Sequence, residues 1–386
     1  MKKILALILA VLFVCGALAA CGGSTTTEDT TADTAEEPAE PAAADFSVAM
    51  ITDYGDITDQ SFNQTTYEAC KEYCDTNGVD FKYYKPASDS DEDRVAMIDS
   101  AIDEGYNVIV MPGYAFAAAI AQTAPNYEDV TFIALDVSEY DLTSAGLEEL
   151  PANLYSAVYQ EELCGYMAGV AAVKLGYTKL GFLGGMAVPA VIRYGYGFVQ
   201  GADAAAEELG VDVSVNYAYG NQFYGDADIT AAMDTWYNDG VEVVFACGGG
   251  IFTSAAEAAA KVDGKVIGVD VDQAATIDGT YGEGMTVTSA MKGLAPTVKT
   301  MLTAVADGTF EGGKVENLGL VSENPDENYV QLPTATTQFA DGFTAEDYAA
   351  LVADMFSGAI TVNNDTTITA ADNAKTITVN DLGNIK

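Results

Sequence analysis

Val108-Ile109-Val110-Met111-Pro112-Gly113, with a helical pattern following over residues 114–124, is one copy of a unit that recurs along the chain. Phe46-Ser47-Val48-Ala49-Met50-Ile51 precedes a helix over 61–73, Phe81-Lys82-Tyr83-Tyr84 precedes one over 91–104, and Thr131-Phe132-Ile133-Ala134-Leu135 closes the series. Uninterrupted apolar strands separated by helices of about 10–15 residues predict a parallel sheet covered on both faces. A second series, with strands at 179–183, 213–217, 241–246 and 266–269, follows a crossing at Leu154-Tyr155-Ser156-Ala157-Val158. The stretch from Phe46 onward is long for one core and comfortable for two. The predicted fold class is therefore α/β, with two doubly wound lobes of parallel sheet around a hinge.

In such sheets ligands bind beyond the carboxyl ends of the strands. Reading those positions gives Asp53, Gly113, Asp136, Gly248-Gly249-Gly250 and Asp270. A single aspartate there is more often a turn or helix cap than a ligand contact. Several of them aimed into one cleft between lobes would point to binding.

Composition removes whole classes of function. The chain has 58 acidic and 16 basic residues, a formal charge of −42, which repels nucleic acid and anionic lipid headgroups. It contains no histidine, so Ser-His-Asp and Cys-His catalysis and imidazole zinc sites are excluded. Asp89-Ser90-Asp91-Glu92-Asp93-Arg94 has the opening rhythm of a calcium loop, but Arg94 stands where that loop needs glycine and Ser100 where it needs glutamate. No Gly-Lys-Ser/Thr follows the glycines at 248–250, so a nucleotide-triphosphate cradle has no support. No cofactor is expected, and no acid pair shows a reason for split pKa values, so an enzyme is not expected either.

The N-terminus reads MKKILALILAVLFVCGALAAC, a basic start and a short apolar run ending in small residues before Cys21. Residues 1–20 are read as an export signal. The Leu18-Ala19-Ala20-Cys21 ending resembles a bacterial lipobox, which implies acylation of Cys21 and an extracytoplasmic, lipid-anchored protein. Residues 21–45, small, polar and acidic, are expected to act as a flexible tether. Cys164 and Cys247 read as buried core residues, whereas a Cys70–Cys74 disulfide is open in an oxidising compartment, although a four-residue helical spacing is poor geometry for one.

Five stretches in order carry a family resemblance: residues 53–64 (DYGDITDQSFNQ), 181–186 (GFLGGM), 245–250 (FACGGG), 267–273 (IGVDVDQ) and 288–292 (TSAMK). Together they resemble the basic membrane protein family, lipoproteins that serve as nucleoside-binding components of ABC transporters. The resemblance implies a type I periplasmic-binding-protein fold. It also implies that Phe62 and Phe223 sandwich a purine, that Asp53, Asn63 and Asp136 read the base edge, and that Asp270, Gly249 and Lys292 hold the ribose. Tyr224-Gly225-Asp226 stands where the family more often has a Ser/Asp-Pro sequence, and Tyr67 where many members have tryptophan.

By the same analogy lobe 1 is expected over 46–153 plus 277–313 and lobe 2 over 154–276 plus 314–386, with hinge crossings near Leu154, Ala274 and Lys314. The expected ligand is a purine nucleoside such as inosine, guanosine or adenosine, and the expected partner is an ABC permease. A sugar- or signal-binding receptor protein of the same fold is the alternative, since it too would use strand-end aspartates and aromatic rings. The tail over 358–386 reads either as an added strand pair or as an extension.

Overall fold

Each apolar run of the sequence becomes a strand, and each intervening pattern a helix, in a computed structural model that describes residues 46–386. In chain order the strands are β1 (Val48–Ile51), β2 (Phe81–Tyr84), β3 (Val108–Pro112), β4 (Thr131–Leu135), β5 (Leu154–Tyr159), β6 (Lys179–Gly184), β7 (Ser214–Tyr219), β8 (Val243–Cys247), β9 (Lys265–Asp270), β10 (Thr286–Lys292), β11 (Lys314–Leu318), β12 (Val330–Gln331) and β13 (Thr378–Asn384). The helices are α1 (Phe62–Asn77), α2 (Asp91–Asp103), α3 (Ala117–Thr123), α4 (Glu139–Ser144), α5 (Glu161–Lys174), α6 (Pro189–Leu209), α7 (Ala227–Asn238), α8 (Phe252–Ala259), α9 (Ala274–Tyr281), α10 (Leu294–Ala306) and α11 (Ala345–Phe356).

Two sheets result, in the orders β11-β5-β4-β3-β1-β2 and β12-β10-β9-β8-β6-β7-β13. Every pairing is parallel except β10 with the short β12. Central strands such as β1, β3 and β8 are buried along their whole length, as expected for sheets with helices on both faces. In the second lobe α5 and α6 pack unusually close. A Cβ at Gly165 or Gly169 of α5 would come 2.2 Å from the carbonyl oxygens of Tyr194 and Phe198, so only glycine allows the approach.

The lobe boundaries differ from those expected. β5 pairs with β4 and β11 in the first sheet, and β10 pairs with β9 in the second. The expected crossings at Leu154, Ala274 and Lys314 come too early, because β5, β10 and β11 still find backbone partners in the sheet the chain is leaving. The chain instead crosses at Gln160, at Gly293 and after Leu318. These crossings lie side by side: Gln160 N donates to Leu318 O (2.9 Å), Gly293 N to Tyr329 O (2.7 Å) and Tyr329 N to Gly319 O (3.1 Å).

Cys70, Cys74, Cys164 and Cys247 are all buried free thiols, so the Cys70–Cys74 bridge is not formed. Arg94 is buried and ion-paired with Asp89 and Asp91, which balances the acidic run that opens like a calcium loop. The tail supplies one strand, β13, in parallel beside β7. The predicted signal, tether and Cys21 lie outside the described residues.

Candidate ligand-binding cleft

The carboxyl ends of both sheets open onto one cavity of about 570 Å³ between the lobes. That size falls in the roughly 300–1,000 Å³ range of small-molecule clefts. The first lobe lines it with residues following β1, β3 and β4, including Asp53, Gly113 and Asp136, and with Phe62 and Asn63 from α1. The second lobe contributes Phe223, Gly249, Asp270 and Lys292. All eight residues singled out from the sequence thus border the same space.

The lobes also touch across it. Ser61 Oγ donates to Asp270 Oδ2 (2.6 Å), Gln273 Nε2 donates to Gln60 O (3.0 Å), and the Tyr54 and Tyr114 hydroxyls lie 3.7 and 3.8 Å from Met186 Sδ.

Burial of charge is handled locally at Asp53. Its Oδ1 accepts from the backbone N–H groups of Tyr54 (2.6 Å) and Gly55 (2.7 Å). Removal from water nevertheless pushes its carboxyl above the ordinary range. Gly113, at φ 125°, makes room for it: a Cβ there would lie 3.0 Å from Asp53 Oδ2. Asp59 accepts the N–H groups of Ser61, Asn63 and Gln64 at the start of α1, so it is a cap. Asn63 donates its amide to Asp59 (3.1 Å) and keeps Oδ1 buried without a partner among the described residues.

Lys292, at the end of β10, is the hub. Its ammonium lies 2.5 Å from Asp136, 3.6 Å from Glu161 and 3.7 Å from Asp270, and only 3% of its side chain is exposed. Burial disfavours the ammonium, but the three carboxylates outweigh that and raise its pKa. Asp136 is also pushed up, burial being the first cause, since one ammonium cannot fully compensate three acids. Glu161 is held in turn by Arg193 Nε (2.7 Å). Asp136 and Asp270 adopt φ values of 62° and 65°, in the left-handed region that aspartate tolerates better than most residues. Asp136 Oδ1 has no hydrogen-bond partner among the described residues.

Two aromatic rings border the cavity, one from each lobe. Phe62 begins α1, and the Lys292 ammonium sits 4.7 Å from its ring centre. Phe223 occupies the turn after β7, where Phe223 O accepts from Gly250 N (2.9 Å). Its ring lies against Gly185 so closely that a Cβ there would be 2.4 Å from Cδ1.

Residues 46–339 match the family described as ABC transporter substrate-binding protein, PnrA-like. The chain belongs to that family. A PnrA-like protein is the substrate-binding component of an ABC transporter, not an enzyme, and works on the extracytoplasmic side with a permease. Among its relatives is the ABC transporter nucleoside-binding protein BmpA of Lactococcus lactis subsp. cremoris, 30% identical over 336 residues, covering 82% of this chain and 89% of BmpA. Basic membrane protein A1 of Borrelia garinii subsp. bavariensis is 25% identical over 320 residues, covering 81% of this chain and 85% of that protein. A solved solute-binding protein from Aeropyrum pernix K1 shares the fold at a TM-score of 0.63 and 22% identity, covering 85% of this chain and 90% of that one.

Several lining residues of this PnrA-like protein were not singled out from its sequence. Tyr54 and Tyr114 directly follow the strand-end residues Asp53 and Gly113, so the strand-end rule extended by one residue finds both. Arg193, which also lines the cavity, lies in α6, and its partner Glu161, which sits behind the lining beside Lys292, opens α5, where no strand-end rule looks; a half-buried arginine and a buried glutamate so far apart in sequence give no local signal. Lys292, read as a donor to ribose, is engaged first with Asp136, and Asp270 already shares one oxygen with Ser61.

Proposed function

We propose that the protein captures purine nucleosides, such as inosine, guanosine or adenosine, and passes them to an ABC permease while anchored to the membrane through acylated Cys21. The observation that carries the reading is the pair of rings, Phe62 from one lobe and Phe223 from the other, bordering one cavity with Asp270 beside them. Stacking on such rings is worth roughly 1–3 kcal/mol per base and accepts any base with a π-face. Asn63 Oδ1 and Asp136 Oδ1, buried and without partners among the described residues, are acceptors suited to the donor-bearing edge of a base, with Asp53 behind them. Asp270 Oδ1 and the backbone at Gly249 suit the ribose hydroxyls, and a carboxylate accepting from hydroxyls makes a charge-assisted bond. The surplus of carboxylates disfavours phosphorylated ligands, so the free nucleoside is preferred over the nucleotide.

Closure follows from the three adjacent crossings at Gln160, Gly293 and the stretch after Leu318, which are few enough to act as one hinge. Asp136 belongs to the first lobe and Lys292 to the second, so their ion pair joins the two lobes beside the hinge.

Calorimetric titration with inosine, guanosine, adenosine and free ribose tests the reading. Nucleosides should bind and ribose should bind far more weakly; ribose binding as tightly as inosine would favour a sugar-binding protein of the same fold. For the anchor, Cys21→Ala should move the protein from the membrane fraction to the medium, and retention of that variant on the membrane would contradict it.

A further inference from the structure

Residues 340–386 follow the stretch matched to the family, and their last part returns to the cleft wall. Asp203 of α6 gathers the segment: its Oδ1 accepts from the backbone N–H groups of Lys375 (3.0 Å), Thr376 (2.7 Å) and Ile377 (3.0 Å). β13 then runs beside β7, and Ile385 N donates to Tyr219 O (2.8 Å) where β7 ends. The next seven residues, 220–226, form the turn that carries Phe223.

Lys386 reaches across that turn. Its Nζ donates to Gln222 Oε1 (2.9 Å) and to Asp226 Oδ2, one residue before and three residues after Phe223. Gln222 Nε2 donates to Asp226 Oδ2 (3.0 Å) and to Tyr224 O (2.8 Å), which closes the bracket. Asp226 Oδ1 meanwhile caps α7 by accepting from the N–H groups of Asp228 and Ile229 (both 3.0 Å). The inner side of the turn is fixed by Gly250 and by the ring's contact with Gly185, so the outer side has Lys386 as its cation. The bracket should hold at any physiological pH, because the hydrogen bond from Lys386 keeps the Asp226 carboxyl down to about 2.

We propose that the segment 378–386 is a strap that positions Phe223, with Lys386 as the positioning residue for the second lobe's aromatic wall. The inference rests on reading Phe223 as a stacking surface for the ligand. It assigns a ligand-related task to a segment outside the family match.

The test uses the full chain with Lys386→Ala and Lys386→Arg. Hydrogen exchange without ligand reports the turn directly, through the Asn221 and Asp226 amides, which are bonded to Gly185 O (2.9 Å) and Ser254 Oγ (3.0 Å). An exposed ion pair is worth a few-fold in an equilibrium, so Lys386→Ala should speed exchange at both amides about two- to five-fold. Exchange in β6 and β8, and the unfolding temperature, should stay as in the parent. Inosine should bind two- to five-fold more weakly through faster dissociation, and Lys386→Arg should restore both readouts. Unchanged exchange at Asn221 and Asp226 in Lys386→Ala would overturn the strap. Loss of inosine binding in Phe223→Ala with no effect of Lys386→Ala would overturn its role in binding. Should the parent bind no nucleoside, the proposed function falls, and the exchange result still decides whether the strap exists.

Discussion

The two lobes present the same kind of surface to the cleft, the carboxyl ends of a parallel sheet, yet they compensate buried charge differently. On the first lobe's side Asp53 is satisfied by its own neighbours, the N–H groups of Tyr54 and Gly55. On the second lobe's side one ammonium, Lys292, serves three carboxylates, and one of these, Asp136, comes from the opposite lobe. The first arrangement is complete within a lobe. The second draws on both lobes, so charge compensation there ties one lobe to the other.

The comparison breaks most sharply at Lys292. Removing one partner from a buried ion pair costs about 3–5 kcal/mol because the remaining charge is left uncompensated. Lys292→Met should therefore lower unfolding free energy by that order and reduce inosine affinity more than a hundredfold, read by denaturant unfolding and calorimetry. Asp53→Asn, whose side-chain oxygen can still accept the same N–H groups, should cost about 1 kcal/mol or less in stability. Equal losses in the two variants would remove the distinction between the lobes.

The aromatic walls come next. Phe62→Ala and Phe223→Ala should each weaken inosine binding by about 1–3 kcal/mol, roughly five- to 150-fold, while leaving any weak ribose binding unchanged. An effect of only one ring would mean that stacking is one-sided.

A pH profile addresses the second lobe's surplus of acid. Burial pushes Glu162, beside Glu161 at the start of α5, up to about 7. A carboxyl raised above its unfolded value of about 4.3 favours the fold at low pH, and that share is lost as pH climbs from there through about 7. Glu162→Gln should therefore gain stability relative to the parent over that window, reaching on the order of 3–4 kcal/mol at pH 8. A difference that does not vary between pH 4.5 and 8 would show that Glu162 is not held out of water.

The smallest effect concerns the seat of Phe223. Gly185→Ala places a methyl 2.4 Å from the ring's Cδ1, so the ring must shift. Inosine affinity should fall by about tenfold or less, within the roughly 1–3 kcal/mol that stacking supplies, with little change in unfolding temperature.

Much of this fold is legible in the sequence. The apolar runs at 108–111, 131–135 and 179–183 fall within β3, β4 and β6, because a strand buried on both faces has an unmistakable uninterrupted pattern. The eight candidate residues border one cavity, and they are legible because strand ends, turns and ordered motifs are local features. The lobe crossings are not, since whether β5 or β10 stays with the sheet behind it depends on which edge still offers backbone partners. Glu161, Arg193 and Ser61 escaped for a related reason: their importance lies in contacts between elements, such as Ser61 with Asp270 across 209 residues of sequence. The strap escaped too, because Lys386 acquires a role only once β13 is laid beside β7.

The most direct measurement is a crystal structure of the protein grown with inosine. The purine should lie between the Phe62 and Phe223 rings, with the ribose hydroxyls on the Asp270 carboxylate and the Lys292–Asp136 pair intact beneath it. Inosine bound outside the cleft, or held there with its base against neither ring, would contradict the account.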